Sequence, residues 1–274
     1  MTTDDFLQTT AASLHQAGIA SARLDSLILL EDALGLERAN ILAHPEHHIP
    51  TAKLEHLNKQ IAQRATHRPL AYIRGKAAFY GREFTVNEHV LVPRPESETM
   101  ITLLKSWYAS LPEAPKLLRI ADIGAGSGML GITGALELPK VHSIAACDID
   151  RDALAVALQN AYQHRVTAIP YQMDLLETPF ADEYQVLLAN LPYVPETLAI
   201  NQAATFEPKH AIFSGPDGLD HYKRFWAQVG TLGRPPLCII TESLPAQHHA
   251  VALLARSAGF VLAARDGFAQ LFVR

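Results

Sequence analysis

The sequence predicts an α/β protein: a mostly parallel sheet of seven strands with helices on both faces, preceded by a small α-helical bundle and a β-hairpin. Three observations predict it. From residue 117 onward, short apolar runs alternate with stretches of helical period, the pattern of successive βα units. The first seventy residues carry apolar positions at helical spacing and no convincing strand. Between these regions, 76-KAAFYGREFTV-86 reads as two short strands turning at Tyr80-Gly81.

Each element follows from local pattern. Leu7, Ala11 and Leu14 share one face of a first helix, with Gly18 as its stop. Ser21 is placed to cap a second helix that puts Leu24, Leu27, Ile28 and Leu34 inside and ends at Gly35. A helical turn or two is expected over 37–43, and Thr51 is placed to cap a helix with Leu54, Leu57, Ile61 and Ala65 on its stripe. After the hairpin, 93-PRPESE-98 is a stiff entry into a helix carrying Ile101, Leu104 and Tyr108. Strands are expected at 117–123, 141–147, 167–172, 184–189, 236–242, 260–265 and 268–274, with helices over 129–138, 151–163, 218–231 and 245–257. The last two strands have no room for a crossover, so they should form an antiparallel hairpin around Asp266-Gly267. The domains expected are 1–71, helical; 72–92, a hairpin linker; and 93–274, the α/β domain.

Composition narrows the function. The chain has 274 residues, 49% of them hydrophobic, and a net charge of −5. That is an ordinary globular composition and a poor background for a surface devoted to nucleic acid. The opening MTTDDF has acids where an export signal needs bases, and no apolar run is long enough to span a membrane. Cys147 and Cys238 sit in apolar runs, as reduced thiols of a cytoplasmic protein would. The thirteen histidines form no HExxH pair, and no zinc spacing appears, so no metal is expected.

The chemistry starts at 122-DIGAGSGML-130. Gly124, Gly126 and Gly128, with Ala125 and Ser127 between them, follow a strand and open a helix. Glycines there let the backbone turn tightly and approach a ligand closely. Asp148 ends the next strand, 20 residues beyond Gly128, where a carboxylate accepts hydrogen bonds from ribose hydroxyls. A dinucleotide and S-adenosylmethionine both suit such a site. The loop is GxGxG followed by Met129, with no third glycine where a pyrophosphate turn wants it. Asp174 suits an adenine edge, with Leu175 packing on the ring. A plain strand–helix turn and a surface acid are the bland readings of these features.

The fourth strand ends in 190-NLPY-193. Asn190 would close that strand beside the first, at the edge of the cofactor crevice. An electrophilic methyl donor needs a nucleophile held in line. An amide or amino nitrogen offers two N–H groups, which the Asn190 side-chain oxygen and the Leu191 carbonyl can accept. Pro192 restricts the residue before it and so holds that carbonyl, while Tyr193 offers a flat wall. An Asn-Pro turn with a packed Tyr is the competing reading. The tetrapeptide does not separate a glutamine amide from the amino group of adenine.

The chain resembles the protein-glutamine N5-methyltransferases, the HemK/PrmC family. The resemblance is carried by 24-LDSLILLEDALG-35, 68-RPLAYIRG-75, 79-FYGREFTVNEHVLVPRPESE-98, 122-DIGAGSG-128 and 206-FEPKHAIFSGPDGLDHYKRF-225. It implies a Rossmann-like seven-stranded domain that uses S-adenosyl-L-methionine. It further implies that Gly124, Gly126 and Gly128 form the cofactor loop, that Asp148 meets the ribose, and that Asp174 and Leu175 border the adenine. Asn190 to Tyr193 would bind the acceptor, the glutamine of the GGQ loop of a class-1 peptide chain release factor. The helical domain and the hairpin would seat that protein, with no membrane or direct nucleic-acid partner, and a monomer is expected. The family's usual tetrapeptide has Pro where this chain has Leu191. N6-methylation of adenine in RNA or DNA, and methylation of a ribosomal-protein glutamine, are the rival activities. Glu207 is expected to hold its loop, and Glu96 to pair with Arg94 or cap its helix.

Overall fold

Thr2 opens the first helix by accepting the Asp5 N–H while Asp5 accepts the Thr2 N–H, a reciprocal cap. In the computed structural model, which describes residues 1–113, 115, 117–177 and 184–274, five helices follow one another. They are α1 (Thr3–Gln16), α2 (Ala22–Leu34), α3 (Arg38–Ala43), α4 (Thr51–Ala65) and α5 (Leu70–Arg74). Gly35 ends α2 in the left-handed region, as expected. Ser21 makes no side-chain cap, and Pro50, not Thr51, is the capping position of α4. Leu24 is the clearest departure, being 47% exposed, while Ala22, Ser26, Leu29 and Leu30 face inward. The inward face of α2 also carries Asp25, because Arg64 of α4 meets it at 2.7 Å. A charge can take a core position only when it is paired. Phe6, Leu14, Leu30, Ile41 and Leu57 belong to the apolar core of this bundle.

The chain divides into two units: Met1–Gly75 with Asn201–Phe206, and Lys76–Ile200 with Glu207–Arg274. The second unit starts with the hairpin β1 (Lys76–Phe79) and β2 (Arg82–Thr85), antiparallel about Tyr80-Gly81. Helix α6 (Glu98–Ser110) follows. Then come β3 (Leu118–Ile123), α7 (Met129–Glu137), β4 (Val141–Asp148), α8 (Arg151–Gln163), β5 (Thr167–Gln172) and β6 (Val186–Ala189). The chain closes with α9 (Asp220–Val229), β7 (Cys238–Glu242), α10 (His248–Ser257), β8 (Val261–Asp266) and β9 (Ala269–Val273).

The seven strands lie in the order β5-β4-β3-β6-β7-β9-β8. Pairs from β5 to β7 are parallel, and β9 runs antiparallel to both β7 and β8. Alternation along the central strands fills two cores. Leu118, Ile120, Val186, Leu188 and Ile240 pack with Met100, Leu104 and Trp107 of α6. Ala121, Ile123, Leu187 and Ile239 pack with Tyr222, Phe225 and Trp226 of α9. Strands buried on both faces read as continuous apolar runs, which is why these were legible.

The topology also locates a crevice. From β3 the chain steps outward to β4 and β5, then returns to place β6 on the other side of β3. Ile123 pairs with Ala189, so the segments after β3 and after β6 leave the sheet side by side. That is a topological switch point, where open α/β sheets bind ligands.

Candidate active site

A cavity of about 190 Å³ opens at this switch point. Gly124, Ala125, Gly126 and Ser127 line it from the loop after β3, and Asp148 from the end of β4. Asp174 and Leu175 line it beyond β5, and Asn190, Leu191 and Pro192 after β6. Two expected site residues are not among its lining. Gly128 starts α7 with φ +76°, and a Cβ there would come 3.0 Å from Ile132 and 3.2 Å from Ala157. Tyr193 turns its hydroxyl away to donate to Glu242 Oε1 at 2.9 Å.

The glycine loop bends over the end of the sheet. The N–H groups of Gly124 and Ala125 both donate to the Cys147 carbonyl, at 2.8 and 2.9 Å. Gly124 has φ +69°, and a Cβ on it would approach the Leu191 side chain to 3.3 Å. Leu191 itself is 1% exposed. Leu191, which stands where the family usually has proline, thus packs against the side of the loop that Gly124 leaves open.

Asp148 accepts the Gly126 N–H at 2.8 Å on Oδ2 and the Asp150 N–H at 3.0 Å on Oδ1. Burial pushes its pKa up, with these two hydrogen bonds acting against it. Each oxygen keeps a further lone pair. A recessed carboxylate beside a cavity, with acceptor capacity left over, fits a ligand carrying neighbouring hydroxyls. The apolar side chains of Leu130, Met173 and Leu175 at the same cavity fit a flat heterocycle. The residues present therefore suit S-adenosylmethionine.

Other side chains at the cavity were given no role by the sequence, although they lie in stretches that carry the resemblance. His89, Val90 and Leu91 line it from the segment after the hairpin, and His210, His221 and Arg224 from the segments around α9. Arg224 pairs with Asp174 at 2.5 Å, so the acid expected at an adenine edge already has a cationic partner. Burial and then the Arg224 charge hold the His221 pKa below its usual value, and its Nδ1 meets the Ser214 hydroxyl at 2.7 Å. Asp122, just before the loop, is pushed up to about 7, chiefly by burial and then by the Asp148 charge, against the Gly131 N–H. His89, Asp150 and Asp152 bring ligand atoms within 4.8 Å of one another, a grouping common on protein surfaces without any ion.

Two stretches of sequence that carry the resemblance prove to be braces. Glu207, buried, accepts from Arg94 at 2.5 Å and from the Val92 N–H at 3.0 Å. Glu207 thus holds its loop, and Arg94 pairs with it and not with Glu96. In 214-SGPDGL-219, Gly218 has φ +75°, and a Cβ would fall 2.2 Å from the Tyr193 carbonyl. Gln247 donates to that same carbonyl at 2.8 Å and to the Asp217 carbonyl at 2.9 Å. The glycine is required because the backbone of 190-NLPY-193 rests directly against it.

Solved structures share this architecture. The catalytic domain of hMettl16 superposes with a TM-score of 0.53 at 14% identity, covering 78% of this chain and 80% of that one. A Thermus thermophilus 16S rRNA methyltransferase, in complex with AdoMet and guanosine, gives 0.50 at 17%, covering 73% and 49%. Fold and site together define an S-adenosylmethionine-dependent methyltransferase. Residues 5–75 match the PrmC N-terminal domain and residues 107–207 the methyltransferase small domain. The release factor glutamine methyltransferase of Bacillus subtilis (strain 168) is 36% identical over 222 residues, 79% of this chain and 76% of that one. The enzyme of that name from Chlorobaculum tepidum is 35% identical over 230 residues, 80% and 77%. The chain belongs to the release factor glutamine methyltransferase family.

Proposed function

We propose that this enzyme transfers a methyl group from S-adenosylmethionine to the side-chain amide nitrogen of a protein glutamine, that of the GGQ loop of a class-1 peptide chain release factor. The observation that carries the reading is the placement of Asn190. It borders the same cavity as the glycine loop and Asp148, and no protein donor among the described residues reaches its Oδ1. That oxygen is free to accept one hydrogen of an incoming carboxamide.

The bound cofactor supplies an electrophilic methyl group. The chain's own part is to hold the acceptor. Asn190 Oδ1 takes one N–H and the Leu191 carbonyl the other, which aims the nitrogen and stabilises the positive charge it gains. Leu191 is anchored in the core, and Pro192 restricts the backbone at Leu191, so the carbonyl has little freedom. The methyl group would come from the cofactor's sulfonium, which would be left as a neutral thioether. The nitrogen then loses one proton, which water can accept once the amide is alkylated, so no side-chain base is required.

The helical unit is read as the docking surface for the release factor, with the enzyme acting as a cytoplasmic monomer and without a nucleic-acid partner. The match of its helices to the PrmC N-terminal domain supports the docking role, and the two free, buried cysteines suit a reducing compartment. The test uses two release factors, one with the GGQ glutamine and one with Ala in its place. One methyl on the first and none on the second is the expected result. Methylation of adenine in RNA, with the release factor untouched, would contradict it. A chain beginning at Lys76 should still bind cofactor and lose about tenfold or more in rate on intact release factor, the worth of a small binding contact. Equal rates would end the docking role.

A further inference from the structure

The Asn190 carboxamide has unequal surroundings. Its Nδ2 donates to Ser97 Oγ at 3.1 Å, while its Oδ1 has no protein donor among the described residues. Ser97 is fully buried, at the start of α6. A serine hydroxyl has one hydrogen to give. With its oxygen accepting from Asn190, Ser97 must direct that hydrogen elsewhere, and the buried Glu242 carboxyl, whose Oε1 accepts from Tyr193, keeps Oε2 without another partner among the described residues to take it; the Ser97 hydroxyl acts to lower the pKa of that acid.

Glu242 is the last residue of β7 and is 1% exposed. Its Oε1 accepts the Tyr193 hydroxyl at 2.9 Å. One carboxylate therefore meets both ends of the tetrapeptide, Tyr193 directly and Asn190 through Ser97. The strand ends are pinned as well. The Tyr222 hydroxyl faces the Glu242 carbonyl at 2.5 Å and the Ala189 carbonyl at 3.0 Å, and accepts the Glu242 N–H at 3.3 Å. Burial raises the Glu242 pKa, with Ser97, Tyr193 and Arg94 acting against it and Glu96 adding to it. A buried acid is costly to keep, and a hydrophobic residue of similar size is often at least as stable. Packing alone does not explain its presence.

The two ends of a carboxamide have nearly the same shape, and only their partners decide which way it points. If Asn190 turned over, it would present N–H groups to the N–H groups of the acceptor. We propose that Glu242 and Ser97 are positioning residues for methyl transfer: the carboxylate sets the direction of hydrogen bonding through Ser97, and Ser97 thereby keeps Asn190 Oδ1 facing the cavity. The inference rests on the reading of Asn190 as the acceptor's hydrogen-bond partner. It predicts a polarity effect that packing does not. In Glu242→Gln, a side-chain N–H can face Ser97, the hydroxyl then donates to Asn190 Oδ1, and the carboxamide turns over.

The test measures kcat and KM on release factor, cofactor affinity by calorimetry, and thermal stability. Ser97→Ala and Glu242→Gln should bind cofactor within about twofold of wild type and lose about tenfold or more, chiefly in kcat, the worth of one hydrogen bond. Ser97→Thr keeps the hydroxyl and should restore kcat to within about threefold. Wild-type kcat in folded Ser97→Ala would overturn the inference, as would equal losses in Ser97→Ala and Ser97→Thr. Wild-type turnover separately carries the functional reading. Should the wild type leave the release factor unmodified, exchange of the Asn190 side-chain amide hydrogens by NMR still decides the orientation. Protection in wild type that is lost in Ser97→Ala supports it, and identical exchange overturns it.

Discussion

The helical unit and the strand ends of the sheet unit treat buried polar groups in opposite ways. In the helices, Asp25 is met by Arg64, and the Thr10 and Ser26 hydroxyls donate back to the carbonyls of Phe6 and Ala22. These groups are satisfied close to home. At the carboxyl ends of the strands, Asp122 Oδ1, Thr241 Oγ1 and Ser243 Oγ are buried without a hydrogen-bond partner among the described residues. Asp148 keeps lone pairs to spare beside a cavity. Buried polar groups left short of partners are expensive, so a concentration of them at one edge of a sheet marks where selection favoured chemistry over stability. The difference teaches that the two regions should fail differently when altered.

The largest expected effect falls on the satisfied side. Asp25→Ala leaves the buried Arg64 without its counter-charge, holding only to the Arg68 carbonyl, which should cost the helical unit about 3–5 kcal/mol of stability. Thermal unfolding followed by probes in each unit checks it, and the cofactor affinity of the sheet unit should hold. A matching loss of cofactor affinity would break the comparison. On the other side, Asp148→Ala should leave the fold intact and weaken cofactor binding by about 1–3 kcal/mol. Calorimetric titration showing unchanged affinity in the folded variant would remove Asp148 from the site.

Asp122 sharpens the contrast through pH. Its folded pKa, about 7, lies above the ordinary carboxylate value. As pH rises above the unfolded pKa, the unfolded chain ionises first, so this residue lowers stability increasingly between the unfolded value and 7. Asp122→Asn keeps an acceptor for the Gly131 N–H and removes that loss. Relative to wild type it should gain at least about 1.4 kcal/mol on going from pH 4 to pH 8, the worth of one pKa unit. A pH-independent difference would show that Asp122 is ionised in the folded protein. The smallest effect is expected at Leu191. Leu191→Pro keeps the carbonyl and loses an N–H that acts on the Tyr222 hydroxyl. Turnover within about threefold of wild type and a stability loss of about 1 kcal/mol should result; a collapse in turnover would mean that more than the carbonyl matters.

The readability of the sequence followed the same division. Strands buried on both faces announce themselves as apolar runs, so the seven strands, the closing hairpin and the place of Asn190 beside β3 were all legible. The gathering of Gly124, Asp148 and Asn190 at one cavity was legible because all three follow or end strands of the sheet. Ser97 and Glu242 were not. Ser97 meets Asn190 across 93 positions of chain, and a serine before a helix looks like any cap. The signal available for Glu242 was its place at the end of the strand next to β6, where an acid in an apolar run is unusual. Leu24 was misread because the period alone does not reveal that Arg64 draws Asp25 inward. Arg94 found its partner in Glu207, 113 positions away, and local spacing pointed instead to Glu96.

The most direct test of the central claim is single-turnover methyl transfer to the GGQ glutamine by wild type and Asn190→Ala, at saturating S-adenosylmethionine, with the product located by mass spectrometry. Removing an acceptor aimed at developing charge should slow transfer by roughly 10²–10³-fold while cofactor affinity stays close to wild type. Transfer by Asn190→Ala at the wild-type rate would contradict the account.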